Sequence, residues 1–242
     1  MFNYKLLVQY DGTRYSGWQI QENALTVQQA LCDSISQILQ EKINLIGSGR
    51  TDAGVHALGQ VANFNSENKL DEYKFKYSLN SVLPDDISVD NIERVDENFH
   101  SRFSAKRRSY IYLISTKKSP FYDRYSYTLS YNLNQEKLNE LSSVLKGAHD
   151  FTSFCKVNTD VQSKLCEVYD ARWRRHKNFF IFYIDANRFL YGMVRAIVGS
   201  LLKAFQSDHG KVFLQNILNL NDRSAAADSV PAKGLFLYKV KY

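Results

Sequence analysis

The sequence predicts an α+β fold in two halves, each setting helices against one face of a mainly antiparallel sheet. Three observations carry that reading. Strand-like and helix-like stretches are interleaved in both halves of the 242 residues. The strand patterns fall as hairpin-like neighbours, which suits an antiparallel sheet better than a doubly wound parallel one. With 3 Pro, no Gly/Ser-rich linker and no low-complexity run, the halves form one continuous structure. The boundary is placed near 104–106, giving an N-terminal half over 1–104 and a C-terminal half over 105–242.

Residues 3–10 read as a strand that leads into a polar, Gly-containing loop over 11–23. Thr26 stands where a helix N-cap belongs, with Gln29 three residues on to complete a capping box. Val27, Leu31, Ile35, Ile38 and Leu39 follow at helical spacing. A short strand is expected over 43–46, another around 60–64, a helix over 74–79 and a strand over 87–95.

The second half repeats this grammar. A Tyr- and Ile-rich strand occupies 109–116, and Leu138, Leu141, Val144 and Leu145 make an amphipathic helix of 135–146. Residues 164–176 and 179–185 form a hairpin about Lys177-Asn178. Two helices, 190–205 and 212–220, precede a closing strand over 235–242.

A chain of this length buries roughly 70–75% of its unfolded surface and needs no covalent staples. The balance of 31 Lys+Arg against 25 Asp+Glu, net +6, permits a polyanionic partner without establishing one. Cys32, Cys155 and Cys166 are odd in number and widely spaced, with no Cys-x-x-Cys and no His-x-x-x-His. That pattern supports neither a disulfide framework nor a metal site, and small buried apolar side chains are expected instead. The N-terminal apolar stretch is interrupted too soon for a signal peptide, and no apolar run approaches the length of a membrane span. A cytoplasmic protein with no membrane attachment is expected.

The densest chemical signal is Gly47-Ser48-Gly49-Arg50-Thr51-Asp52-Ala53-Gly54-Val55-His56. Its glycines allow tight turning and close approach of a ligand to backbone. Arg50 and Asp52, two apart, share a side if the segment is extended. The residues alone favour a plain loop with an Asp-Ala-Gly turn and a solvated Arg50.

Other segments carry a resemblance. Tyr10-Asp11-Gly12-Thr13-Arg14-Tyr15-Ser16-Gly17-Trp18-Gln19 precedes the Asp52 segment, and Phe99-His100-Ser101-Arg102-Phe103-Ser104-Ala105 follows it. Next come Arg108-Ser109-Tyr110-Ile111-Tyr112, His149-Asp150-Phe151-Thr152-Ser153-Phe154 and Asn187-Arg188-Phe189-Leu190-Tyr191-Gly192-Met193-Val194-Arg195. Gly199-Ser200-Leu201-Leu202 and Pro231-Ala232-Lys233-Gly234-Leu235-Phe236-Leu237 complete the series. In that order, these runs resemble the TruA-type tRNA pseudouridine synthases from about residue 4 to the C-terminus. One small departure is Ser109, where a larger residue is often seen.

The resemblance implies two ferredoxin-like (RRM-like) halves joined into one mixed, mainly antiparallel sheet, with helices on one face and an active cleft between the halves. It implies isomerisation of uridine to pseudouridine at positions 38, 39 and 40 of the tRNA anticodon arm. No cofactor and no metal are needed. A homodimer that engages the tRNA anticodon stem-loop is expected.

In the family the catalytic carboxylate falls at Asp52, which either attacks C1′ or C6 or stabilises oxocarbenium-like charge. Arg195 falls where the family keeps a cation beside that carboxylate; otherwise it snorkels from the edge of an apolar helix. Tyr110 resembles the active-site tyrosine that stacks on a flipped base, or else packs within its sheet. Arg50 falls where a residue fills the gap left by the extruded nucleotide or holds its phosphate. Leu235 lines the uracil pocket, a role compatible with simple core packing.

Two basic stretches, Lys106-Arg107-Arg108 and Arg172-Trp173-Arg174-Arg175-His176-Lys177, are ordinarily solvated faces. Beside RNA they become phosphate contacts, with Arg174 and Arg175 foremost, and Arg14 and Trp18 are further candidates. Three rivals stand beside this reading. The presence of Asp52 argues against a non-turning-over RNA binder on the same fold, and the lack of a paired acid near Asp52 argues against a nucleoside-cleaving enzyme; a related synthase with other target positions stays open.

Overall fold

The computed structural model describes residues 1–156 and 163–242. It divides into two compact units, Met1–Lys106 with Phe236–Tyr242, and Arg107–Leu235.

The first unit opens with β1 (Phe2–Tyr10), whose alternation buries Tyr4, Leu6, Val8 and Tyr10. Helix α1 (Val27–Leu39) starts at Thr26, whose hydroxyl accepts from Gln29 N–H at 3.3 Å. The Gln29 side chain turns to Asp33 at 2.6 Å, so the expected reciprocal half of the capping box is replaced by a bond within the helix. Val27, Leu31 and Ile35 are fully buried; each contributes about 1.5–3 kcal/mol of burial.

The strand expected over 43–46 is reduced to β2 (Ile46–Gly47), because only Ile46 and Gly47 find ladder partners, Asn63 and Ala62. Ile43 and Leu45 are nevertheless buried, which accounts for the apolar pattern. Strand β3 (His56–Ser66) is far longer than its expected core. Helix α2 (Glu72–Val82) is capped by Asp71, and β4 (Ile87–Val95) completes the unit's first six elements. Strands β3 and β4 both pair antiparallel with β1, and β2 pairs with β3. That β-α-β-β-α-β order, with strands arranged 4-1-3-2, is ferredoxin-like.

The second unit begins with β5 (Arg107–Ser115) and the two-residue β6 (Tyr127–Thr128), which pairs parallel with it. Helix α3 (Gln135–Ser142) stops short of the expected 146, its last turn tightening into a 3-10 turn over Ser143–Leu145. Strands β7 (Gly147–Asp150), β8 (Leu165–His176) and β9 (Phe179–Ala186) follow, with the β8–β9 turn at Lys177-Asn178. Strand β9 lies antiparallel between β5 and β8, and β7 extends the edge. The element order β5-α3-β8-β9-α4 thus repeats β1-α1-β2-β3-α2, with β6 and β7 added.

Helix α4 (Met193–Phe205) begins three residues later than expected, because Gly192 adopts a left-handed φ of 72° that no helix continues through. Ala196, Ile197, Val198 and Leu201 are buried along it. Helix α5 (Gly210–Leu220) packs beside it. Strand β10 (Leu235–Lys241) ends the chain and pairs parallel with the start of β3, Phe236 with His56 and Leu237 with Ala57, which makes that sheet mixed. Among the described residues no helix is long and apolar enough to cross a membrane.

Candidate active site

Asp52 stands in the turn between β2 and β3. Val55 N–H donates to the Asp52 carbonyl at 3.1 Å, and Gly54 takes a φ of 75° to close the turn. Thr51 is buried, Asp52 half-buried and Arg50 exposed. Upstream, Ser48 donates to Gln60 Oε1 at 2.7 Å and Gln60 Nε2 donates to the Gly49 carbonyl at 3.0 Å, so β3 holds the approach to the turn.

The loop after β1 lies against this turn. Trp18 is buried, its ring so close to Gly47 that a Cβ there would stand 2.5 Å from it. This corrects the expectation of an RNA contact: a Trp18 ring sealed against backbone offers no stacking face. Arg14 remains largely exposed, yet its guanidinium meets Asp86 twice, through Nε and Nη2, each at 2.7 Å. Asp86 also accepts from the Tyr15 hydroxyl at 2.6 Å. Burial first, and the Asp86 carboxylate second, hold the Tyr15 phenol well above its ordinary pKa. Asp86 is a member of this region that sequence reasoning missed.

In the second unit, Tyr110 sits on β5 opposite Ile184, buried, with its ring edge-on to Phe189 at 5.0 Å. Two residues on, Tyr112 faces the same side and ties three elements together. Its hydroxyl donates to the Pro231 carbonyl at 2.8 Å, and its ring leaves room only for a glycine at 234, where a Cβ would come within 2.7 Å. Burial raises the Tyr112 phenol's pKa, and the Arg195 charge partly offsets that rise. Arg195 is half-buried in the first turn of α4, with Nε donating to the Val230 carbonyl at 2.7 Å. Leu235 is buried at the start of β10. Tyr110, Arg195 and Leu235 therefore belong to one neighbourhood about Tyr112.

The basic stretches resolve into individual tasks. Arg107 stacks over Tyr169 at 4.0 Å and lies 3.7 Å from Asp185. Arg108 donates to the Asn187 carbonyl at 3.1 Å. Arg172 is ion-paired with Asp170, which Lys146 also reaches at 3.2 Å. Trp173 is core, against Phe182 at 4.9 Å. Arg174 and Arg175 are both exposed but, being adjacent on a strand, point to opposite faces of the sheet. Arg175 lies over Phe180 at 5.7 Å on the side of Trp173; Arg174 shares its face with Arg172. Through Ile181, Arg174 is registered with Leu113, two strands over from β5 and three residues along from Tyr110.

Cys32, Cys155 and Cys166 are all buried. Burial pushes the Cys166 thiol up to about 11. Among the described residues no group of three or more His, Cys, Asp or Glu converges as metal ligands would.

A family model matches the chain on both sides of residues 105–141. The model of the tRNA pseudouridine synthases covers residues 6–104 and 142–242, and the chain belongs to that family of isomerases. Its relatives specify the branch. It is 43% identical over 244 residues to tRNA pseudouridine synthase A of Thermoanaerobacter sp. (strain X514), across the whole of both chains. It is 42% identical to the protein of that name from Clostridium acetobutylicum, again over all of both. The Bacillus licheniformis protein of the same name is 39% identical over 98% of each chain.

Proposed function

We propose that this protein converts uridine to pseudouridine at positions 38, 39 and 40 of the tRNA anticodon arm, with Asp52 as the catalytic carboxylate. Full-length likeness to proteins named tRNA pseudouridine synthase A carries the reading. The reaction breaks N1–C1′, turns the uracil and joins C5 to C1′. The C5 proton is lost and N1 gains one, so the atoms balance without a co-reactant.

A carboxylate suits this step, either as nucleophile or as partner to positive charge growing on the ribose. Arg195 is assigned to keep Asp52 ionised, Tyr110 and Leu235 to receive the uracil, and Arg50 to occupy or grip the place of the extruded nucleotide. The protein acts in the cytoplasm as a homodimer on one tRNA. Incubating it with unmodified tRNA transcripts and mapping pseudouridine at single-nucleotide resolution tests the reading. Signal confined to 38–40 is expected; signal at other positions makes the protein a synthase of different target.

Arg14, Arg174 and Arg175 are assigned to phosphates. Because Arg174 shares an exposed face with Arg172 while Arg175 lies over Phe180, the two arginines are expected to differ. Arg174→Ala should weaken all tRNAs about equally and flatten the log–log salt dependence of binding by roughly 0.7–0.9, one phosphate contact. Arg175→Ala should change the slope less. A parental slope in Arg174→Ala removes that residue from the RNA-binding face.

A further inference from the structure

The Asp52 turn is gripped along its length by residues 10–18. Trp18 N–H donates to the Thr51 carbonyl at 3.1 Å, and Gly54 N–H donates to the Tyr15 carbonyl at 3.3 Å. Gly17, at a φ of 96°, comes so near that a Cβ would stand 2.5 Å from the Thr51 oxygen. Gly12 N–H donates to His56 Nδ1 at 3.1 Å, where the turn enters β3. Asp11 Oδ1 lies 3.1 Å from the same Nδ1. The gripping segment is itself fixed, by Asp86 on Arg14 and Tyr15 and by α1, whose first residues donate to the Gly17 and Trp18 carbonyls.

One grip joins two side chains. The Tyr10 phenol and the Thr51 hydroxyl, both buried, share a hydrogen bond of 2.7 Å. Tyr10 ends β1, a strand paired on both sides, so the phenol projects from the stiffest part of the unit. Thr51 is thus held at its carbonyl by Trp18 and at its side chain by Tyr10. Held at two points, residue 51 has little freedom to rotate, and it directly precedes Asp52.

We propose that Tyr10 is a positioning residue for Asp52, acting through Thr51 to set the direction in which the carboxylate leaves its turn. The proposal rests on the reading of Asp52 as the catalytic carboxylate. A reacting group displaced by about 1 Å loses on the order of a hundredfold in rate, so one lost anchor matters while the fold survives.

The test uses the full-length protein and an unmodified tRNA transcript, comparing Tyr10→Phe, Thr51→Val, their double variant and Thr51→Ser, with Asp52→Asn alongside. Tyr10→Phe and Thr51→Val should each slow turnover at saturating tRNA about tenfold, with half-saturation within about twofold of the parent. Thr51→Ser, which keeps the hydroxyl, should return most of the rate. The double variant should be no slower than the slower single, because both remove one interaction. It also leaves no buried hydroxyl unpaired, so it decides the matter where a single variant melts early. A parental rate in Tyr10→Phe or in the double variant overturns the proposal. So does a loss confined to half-saturation, or a Thr51→Ser as slow as Thr51→Val. Turnover by Asp52→Asn would instead remove the reading beneath it, whatever Tyr10 does.

Discussion

Arg195→Met is expected to slow pseudouridine formation roughly ten- to hundredfold at neutral pH and to move the acid limb of the pH–rate curve upward. Removing the partner of a fully buried charge costs about 3–5 kcal/mol. On the proposal that Arg195 keeps Asp52 ionised, the half-burial of each side chain lets water screen part of that, and about 1–3 kcal/mol is the appropriate scale. The sign is set by the carboxylate. Without the cation, its proton is held more tightly, its pKa rises, and the ionised form that the chemistry needs is reached only at higher pH. Activity should therefore recover in part as pH is raised. Arg195→Lys should retain more, since it keeps the charge while losing the Nε–H that donates to Val230. The measurement is turnover against pH for the three proteins. A methionine variant with parental rate and unshifted profile takes Arg195 out of the chemistry.

Much of the fold was legible because its signals are local. Thr26 caps α1 through its own hydroxyl, and Leu31 and Ile35 repeat at helical spacing on the face that is buried. Lys177-Asn178 turns β8 into β9 where the break in the strand pattern lies. What was not legible depends on partners far along the chain. The stretch 43–46 has a strand's composition, yet only Ile46 and Gly47 meet β3, since pairing is decided by the neighbour and not by propensity. Gly192 delays the start of α4 by its backbone angle, which a run of apolar residues around it conceals.

The candidate site divides the same way. The glycine-rich segment around Asp52 announces itself, whereas the loop that cradles it does not. Trp18 beside Arg14 reads as a basic-aromatic pair ready for RNA. Its burial depends on Gly47, and the engagement of Arg14 depends on Asp86, 72 residues away. The split of Arg174 from Arg175 was available in principle from the two-residue period of a strand. Treated as a block of charge, the pair hid it.

Asp52→Asn gives the most direct test of the account. The change is nearly isosteric, so the turn closed by Val55 and Gly54 should keep its shape and the protein its cooperative melt. It removes only the charge and the nucleophilic oxygen, which each version of the chemistry requires. Binding, spread over many phosphate contacts elsewhere, should stay within a few-fold of the parent. Pseudouridine formation on a transcript and tRNA affinity, measured on one folded preparation, should show turnover below detection with binding retained. Turnover within about tenfold of the parent would contradict Asp52 as the catalytic group.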